Sequence, residues 1–203
     1  MNRALELLPL SEVQKPITLV DLDTVEPVYT LRPIREELIG LGLDVVAWST
    51  AETVGLGEAG SVIRPEMRWV LKRHGSIVLD IGYGVHGAKT LNIIEGAWED
   101  PDLKVLAVLN LGRPLTGTYE DMLDYVRELG PIHGLINNSH LGEETVVSFI
   151  QEGAQIVSQV GKTLHIPFVA TTADERLRDE LGMSDGLGNP VRYLRRFMPR
   201  AFW

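Results

Sequence analysis

The chain alternates between short apolar runs rich in β-branched residues and longer segments with helical periodicity. This alternation constrains the fold most, because repeated βα units build a mostly parallel sheet with helices on both faces. The near-continuous apolar character of the runs suits strands that are covered on both sides. The predicted strands are residues 17–22, 44–48, 76–81, 103–109, 132–137 and 166–170.

The intervals between the strands carry helical patterns. Pro33 and Pro65 fall in the first turn of two of them, where the missing N–H loses no hydrogen bond. No linker, repeat or low-complexity segment divides the chain, so the sequence predicts one α/β domain over residues 1–203. The predicted helices are residues 2–8, 32–41, 64–73, 88–97, 117–129, 143–164 and 174–181.

Composition excludes several classes of function. A net charge of -9 gives no broad basic surface, so we expect no direct nucleic-acid partner. The absence of cysteine excludes disulfides and thiolate metal sites. No run approaches the roughly 20 apolar residues that span a bilayer, and no signal peptide begins the chain, so we expect a cytoplasmic protein without a membrane span.

The carboxyl-terminal segment is basic and aromatic. Its arginines alternate with Tyr193, Phe197, Phe202 and Trp203. Two interpretations stay open, a docking tail that covers an apolar patch and a site for an anion. The arginines are Arg192, Arg195, Arg196 and Arg200.

Acidic side chains end two of the predicted strands, where ligands bind in open parallel sheets. Asp21 and Asp23 lie two residues apart on one strand and so point to the same side, and Asp80 ends another strand. Such carboxylates suit a hydrated Mg²⁺, although an aspartate at a strand end can also be a simple cap. The sequence predicts Mg²⁺ held through water by Asp21 and Asp80, with Asp23 as a catalytic acid that orients a water.

A glycine-rich segment follows Asp80. An apolar strand that ends in an aspartate and continues into glycines has the Walker B pattern, in which Gly82, Gly84 and Gly87 approach a γ-phosphate. A rival interpretation takes residues 82–90 as a Walker A loop, but Ala88 separates the glycine from the lysine that this loop requires. The sequence therefore predicts nucleotide contacts at the three glycines.

Two asparagines, Asn137 and Asn138, end a further strand. An amide offers a donor and an acceptor to a purine edge, while a turn asparagine is an equal alternative. The five histidines show no zinc spacing, and no nucleophile elbow exists for a serine hydrolase. A Rossmann oxidoreductase is disfavoured because no G-x-G-x-x-G follows the first strand.

Taken in order, these segments resemble the MinD/ParA-like (CobQ/CobB/MinD/ParA) branch of the P-loop NTPases. The resemblance implies a switch I acid at Asp21 or Asp23, a Walker B and switch II loop over residues 80–87, and adenine recognition near Asn138. It also implies ATP and Mg²⁺ as cofactors and a homodimer around nucleotide. The matching segments are VDLDTVEP, LDIGYGVHGA, NLGRPLT and NNSHLGEET.

The chain departs from that family at its start, where the first strand and the phosphate-binding Walker A loop have no counterpart. The expectation is thus a P-loop NTPase-like sheet without its first strand and phosphate loop. We expect an ATP-binding switch protein that is inactive as this chain and is an ATPase only if the loop is restored. The alternative is a non-catalytic scaffold or protein-binding member that has lost the nucleotide. The sequence does not identify a protein client.

Overall fold

The structure is a computed structural model that describes residues 16–23, 31–48 and 63–197. Contacts divide the chain into two compact units, Met1–Leu103 and Lys104–Trp203. Each unit contains a parallel sheet flanked by helices, so the mixed α/β class is confirmed. The predicted helix at residues 2–8 lies outside the described residues.

The first unit is built on a three-stranded parallel sheet with the order β2-β1-β3. The strands are β1 (Ile17–Leu22), β2 (Asp44–Val46) and β3 (Ser76–Ile81). All six residues of β1, the central strand of this sheet, are buried. The predictions for β1 and β3 are confirmed to the residue, and β2 is two residues shorter than predicted.

Three short helices accompany this sheet: α1 (Arg35–Gly40), α2 (Pro65–Arg68) and α3 (Gly84–Ala88). A 3₁₀ turn precedes α1 at Arg32–Ile34, and others follow α2 at Val70–Lys72 and α3 at Lys89–Ile93. Pro33 and Pro65 lie in the first turns, as predicted. Helix α3 begins four residues before the predicted start at 88, so part of the glycine-rich segment is helical. The most deeply buried apolar side chains are Leu19, Val20, Leu38, Met67 and Val70.

The second unit contains a four-stranded parallel sheet with the order β4-β5-β6-β7. Its strands are β4 (Leu106–Leu109), β5 (Gly134–Asn137), β6 (Phe168–Asp174) and β7 (Val191–Leu194). The first three lie within or overlap predicted strands, and β7 was not predicted.

Helices α4 (Tyr119–Glu128), α5 (Val147–Leu164) and α6 (Arg178–Leu181) belong to this unit. Helix α4 begins at an N-cap, where the Thr118 hydroxyl accepts a hydrogen bond from the Asp121 N–H at 3.1 Å. Helix α5 ends at Leu164, and its C-cap residue His165 takes the left-handed conformation with φ 56°. The core packs one sheet face against α4 and α5 through Ala107, Leu109, Leu135, Met122, Val126, Val157 and Val160.

Over the described part of the chain, no helix is long and apolar enough to cross a membrane. The longest one, α5, has 18 residues but carries a polar face.

Candidate functional site

The carboxyl ends of β1 and β3 bring Asp21 and Asp80 together. The two strands are parallel, and Asp21 is the direct pairing partner of Asp80 in the sheet register. Partners in register on neighbouring parallel strands project to the same face of the sheet. Two carboxylates therefore lie side by side at this edge. Asp23 follows β1, and its backbone N–H donates to Asp21 Oδ1 at 3.2 Å.

Asp21 is almost fully enclosed, with only 2% of its side chain exposed. Burial, together with the negative charges of Asp80 and Asp23, raises its pKa to about 6, and the Asp23 N–H and the Arg32 guanidinium oppose that rise. Asp21 Oδ2 accepts no hydrogen bond. A bound cation would stabilise a buried carboxylate oxygen that accepts no hydrogen bond.

Asp80 is electrostatically similar. Burial is the main cause that raises the pKa of its carboxyl group, and the charge of Asp23 adds to the rise. At neutral pH, above its pKa of about 6, Asp21 carries a negative charge beside the Asp80 carboxyl group. Either a shared proton or a cation would stabilise it.

Arg32 is the counter-ion that sequence reasoning missed. Its Nε lies 3.7 Å from Asp21 Oδ2, and only 6% of its side chain is exposed. The distance exceeds that of a hydrogen bond, so the pair interacts through charge alone. No sequence signal connects Arg32 with Asp21, because the contact depends on how the 3₁₀ turn at Arg32–Ile34 packs beside β1.

The three predicted glycines lie in the turn after β3 and in α3. Gly84 starts α3 with φ +81°, a conformation that favours glycine. Gly87 packs so closely on Gly82 that a Cβ at position 87 would lie 1.8 Å from the Gly82 carbonyl oxygen. The turn therefore leaves no space for a side chain at Gly87. Their contact with a nucleotide stays a prediction.

Asn137 and Asn138 lie in the second unit, at the carboxyl end of β5. Asn137 is fully buried, and its amide donates to the Ile150 carbonyl at 3.0 Å while its Oδ1 accepts from the Ser139 N–H at 3.1 Å. Asn138 Oδ1 accepts from the Thr172 hydroxyl at 2.7 Å. A purine edge would have to displace these internal bonds, so the turn interpretation accounts for both side chains.

Within residues 16–23, 31–48 and 63–197, no group of three or more His, Cys, Asp or Glu side chains is arranged to hold a metal ion directly. The Asp21–Asp80 pair offers two carboxylates, which is the set that Mg²⁺ uses when it keeps several of its waters. The geometry suits a cation bound through water at the edge of the first sheet.

Comparison with known proteins assigns no family. No family model matches the chain, and no curated protein matches it. Among solved structures it is similar to alanine racemase from Bacillus anthracis with bound L-Ala-P, with TM-score 0.40 and 14% identity, over 95% of this chain and 53% of that one. The chain thus spans about half the length of that structure. A TM-score this low assigns neither a fold nor an activity to this chain.

The predicted membership of the MinD/ParA-like family is wrong, because no family model matches the chain. The P-loop ATPase assignment that depended on it is wrong as well. The physical reason is that the matching segments consist of residue types that strand ends and turns require in any parallel sheet. Asn137 and Ser139, for example, satisfy backbone groups of their own unit.

Proposed function

We propose that the first unit binds a hydrated divalent cation at Asp21 and Asp80, and that the protein is a cation-dependent, ligand-binding switch. Mg²⁺ is the expected ion, since it prefers oxygen ligands and keeps part of its hydration shell. The proposal requires neither a phosphate loop nor membership of an ATPase family.

One observation carries the proposal: Asp21 Oδ2 is buried, accepts no hydrogen bond, and belongs to the residue paired in register with Asp80. Burying two carboxylates side by side is unfavourable unless something compensates their charge. Arg32 compensates part of it at 3.7 Å. A divalent cation would compensate the remainder and would link the ends of two strands.

The decisive experiment is calorimetric titration of Mg²⁺ alone into metal-free protein at pH 7. We expect binding by the wild type and a loss of at least about tenfold in affinity in Asp80→Asn, which keeps the side-chain shape but removes a charged ligand. Binding should release protons at pH 6, because Asp21, whose pKa is about 6, is partly protonated there. Proton release is detected as a dependence of the measured heat on the ionisation enthalpy of the buffer.

Asp44→Asn is the matched control. Asp44 lies at the opposite, amino-terminal end of β2 and is paired with Arg73. We expect this variant to bind Mg²⁺ like the wild type. Equal affinity of wild type, Asp80→Asn and Asp44→Asn would contradict the proposed site, as would the absence of any binding at millimolar Mg²⁺.

A phosphate-bearing ligand is the class that a carboxylate-held Mg²⁺ usually bridges. ATP, the cofactor predicted from the sequence, is therefore the ligand to titrate with and without Mg²⁺. We expect any binding of ATP to depend on Mg²⁺ and on Asp80. If ATP binds equally well without Mg²⁺ and in Asp80→Asn, the nucleotide binds elsewhere and not at this site.

The alternative function is a non-catalytic protein-binding role. It is favoured by β4, an edge strand of the described second sheet, on which Leu106 and Val108 are 42% and 55% exposed. An edge strand with an exposed apolar face can pair with another chain. If Mg²⁺ does not bind and Val108→Lys lowers the molar mass measured by light scattering, self-association through β4 replaces the cation switch as the function.

A further inference from the structure

The first unit exposes three large apolar side chains on two neighbouring segments. Trp69, Ile93 and Trp98 are 43%, 50% and 43% exposed. Each segment also contributes to the core, so it is apolar on its inner and on its outer side. Single exposed apolar residues are ordinary, but large ones grouped on adjoining segments mark interaction surfaces. The buried apolar residues of the two segments are Met67, Val70, Leu91, Ile94 and Ala97.

Backbone and side-chain contacts join the two segments. The Glu95 N–H donates to the Arg68 carbonyl at 2.8 Å. The Arg68 guanidinium donates to the Glu95 carboxylate at 3.1 Å. Arg68 directly precedes Trp69, and Glu95 lies between Ile93 and Trp98 in the chain. The three exposed side chains therefore surround one junction on the surface of the first unit.

The two tryptophan rings are held by neighbouring side chains. Trp98 Nε1–H donates to Asn92 Oδ1 at 2.8 Å. The Lys72 ammonium lies 4.1 Å from the centroid of the Trp69 ring, and the Arg68 guanidinium lies 5.2 Å from it. Side chains that are already held lose less conformational freedom on binding, so these rings suit the centre of an interface.

Lys72 makes the Trp69 end of this area positive. The neighbouring arginines are compensated, since Arg68 pairs with Glu95 and Arg73 pairs with Asp44. Within residues 16–23, 31–48 and 63–197, Lys72 forms no ion pair with a carboxylate. One positive charge therefore remains at this end.

The chain after Trp98 makes the other end negative. Glu99 and Asp102 are exposed, and the half-buried Asp100 accepts at Oδ1 from the Asp102 N–H at 2.8 Å. In the described part of the chain, neither exposed acid pairs with a basic side chain. The area thus has an apolar centre, a positive end and a negative end.

We propose that this area, which we call the tryptophan surface, is the interface of a two-fold dimer of the chain. A two-fold axis brings the same surface of two copies together in opposite directions. The apolar centres then cover each other, and the positive end of each copy faces the negative end of the other. A second copy necessarily carries the pattern that complements this surface. The members of the tryptophan surface are Trp69, Lys72, Ile93, Trp98, Glu99 and Asp102.

Multi-angle light scattering of the full-length protein measures the dimer. At neutral pH the wild type should have twice the molar mass of one chain. Trp69→Ala should weaken the dimer at least about tenfold, because it removes an aromatic ring from the centre of the interface. Leu115→Ser is the matched control, since Leu115 is 57% exposed and belongs to the second unit. That variant should dimerise like the wild type.

Charge exchange separates recognition from folding. Lys72→Glu, and the double variant Glu99→Lys with Asp102→Lys, each bring like charges together at both ends of the symmetric interface. Each should dimerise at least about tenfold more weakly than the wild type. A mixture of the two should form a heterodimer, because opposite charges then meet at both ends. Loss of folding in either variant could not produce that gain.

The proposal is overturned if the wild type is monomeric at hundreds of micromolar protein, which would leave a different protein as the partner. It is also overturned if Trp69→Ala and Leu115→Ser dimerise equally, or if the two charge variants do not associate when mixed. A dimer that Val108→Lys dissociates and Trp69→Ala does not would be the β4 dimer of the alternative function. None of these outcomes depends on a cation at Asp21 and Asp80.

Discussion

At the residue scale, the buried carboxylates link the candidate function to stability. A carboxyl group whose pKa is raised on folding binds protons more readily in the folded state than in the unfolded chain. For Asp21 the pKa rises from 3.8 to about 6, so its contribution to stability is lost as the pH increases through that window. A shift of about two units corresponds to roughly 3 kcal/mol. Asp21 should therefore contribute more to the stability of the protein at pH 5 than at pH 7.

We predict that Asp80→Asn stabilises the metal-free protein at pH 7, on the order of 1 kcal/mol. The change removes a charge beside Asp21, and it should matter less at pH 5, where Asp21, with a pKa of about 6, is largely protonated. Urea denaturation at the two pH values measures the effect. Asp44→Asn, whose parent side chain is 45% exposed, should give no gain in stability. If Asp80→Asn is less stable than the wild type at pH 7, the negative charge of Asp80 does not destabilise the folded protein and the prediction is wrong.

Saturating Mg²⁺ should reverse the order of stability. The free energy of unfolding of the wild type rises with the logarithm of the Mg²⁺ concentration once that concentration exceeds Kd, whereas Asp80→Asn gains little. The measurement is the change in urea midpoint on adding Mg²⁺ at pH 7. If the two proteins gain equally, the ion acts elsewhere.

At the scale of elements, two helical glycines differ in the space around them, so the substitution of glycine by alanine should affect stability differently at the two positions. Gly153 of α5 faces the end of β5, and a Cβ there would lie 2.1 Å from the Ser139 hydroxyl and 2.8 Å from Asn137 Oδ1. Gly40 ends α1 in open space, with nothing within 4 Å of the same atom.

We predict that Gly153→Ala destabilises the protein by about 1–3 kcal/mol, because the methyl group forces α5 away from β5. The matched change Gly40→Ala should stabilise it by roughly 0.5–1 kcal/mol through the lower entropy of the unfolded chain. Thermal unfolding of both variants checks the opposite signs. If the two substitutions change the stability equally, α5 can move away from β5 without a loss of stability.

The elements differ in how far sequence could define them. Strands β1 and β3 were predicted to the residue because their runs are apolar, rich in β-branched residues and bounded by turns. Strand β7 was missed because VRYL is short and half polar, and its place depends on a turn that sequence alone does not reveal. In that turn Asp185 accepts hydrogen bonds from Thr171 at 2.7 Å and from the Asn189 N–H at 2.9 Å, which ties residues 185–189 to β6.

The candidate site was predictable in part. The acidic strand ends were visible because carboxylates interrupt apolar runs at Asp21 and Asp80. That they are in register follows from strand pairing, which the sequence did not supply. Arg32 was invisible because its contact with Asp21 depends on packing. In the carboxyl-terminal segment, Phe197 is buried with the Arg195 guanidinium over its ring, and both interpretations of the segment stay predictions.

At the scale of the whole molecule, the division into two units predicts how mutations combine. Asp80 and Gly153 belong to different units. Changes that share no contacts usually add within about 0.3–0.5 kcal/mol. The double variant Asp80→Asn with Gly153→Ala should therefore show the sum of the two separate effects in urea denaturation. A departure of more than about 1 kcal/mol would reveal energetic coupling between the units.

The tight turn after β3 has a consequence for mutational screens of this protein. At Gly87 any side chain would collide with the Gly82 carbonyl, whereas Gly84 has open space and needs only a positive φ, which asparagine can also adopt. A saturation library scored only for folded protein should thus accept glycine alone at position 87 and tolerate asparagine at position 84. If the library accepts no other residue at position 87, the cause is the lack of space for a side chain. The same result is expected whether or not a ligand binds at the turn.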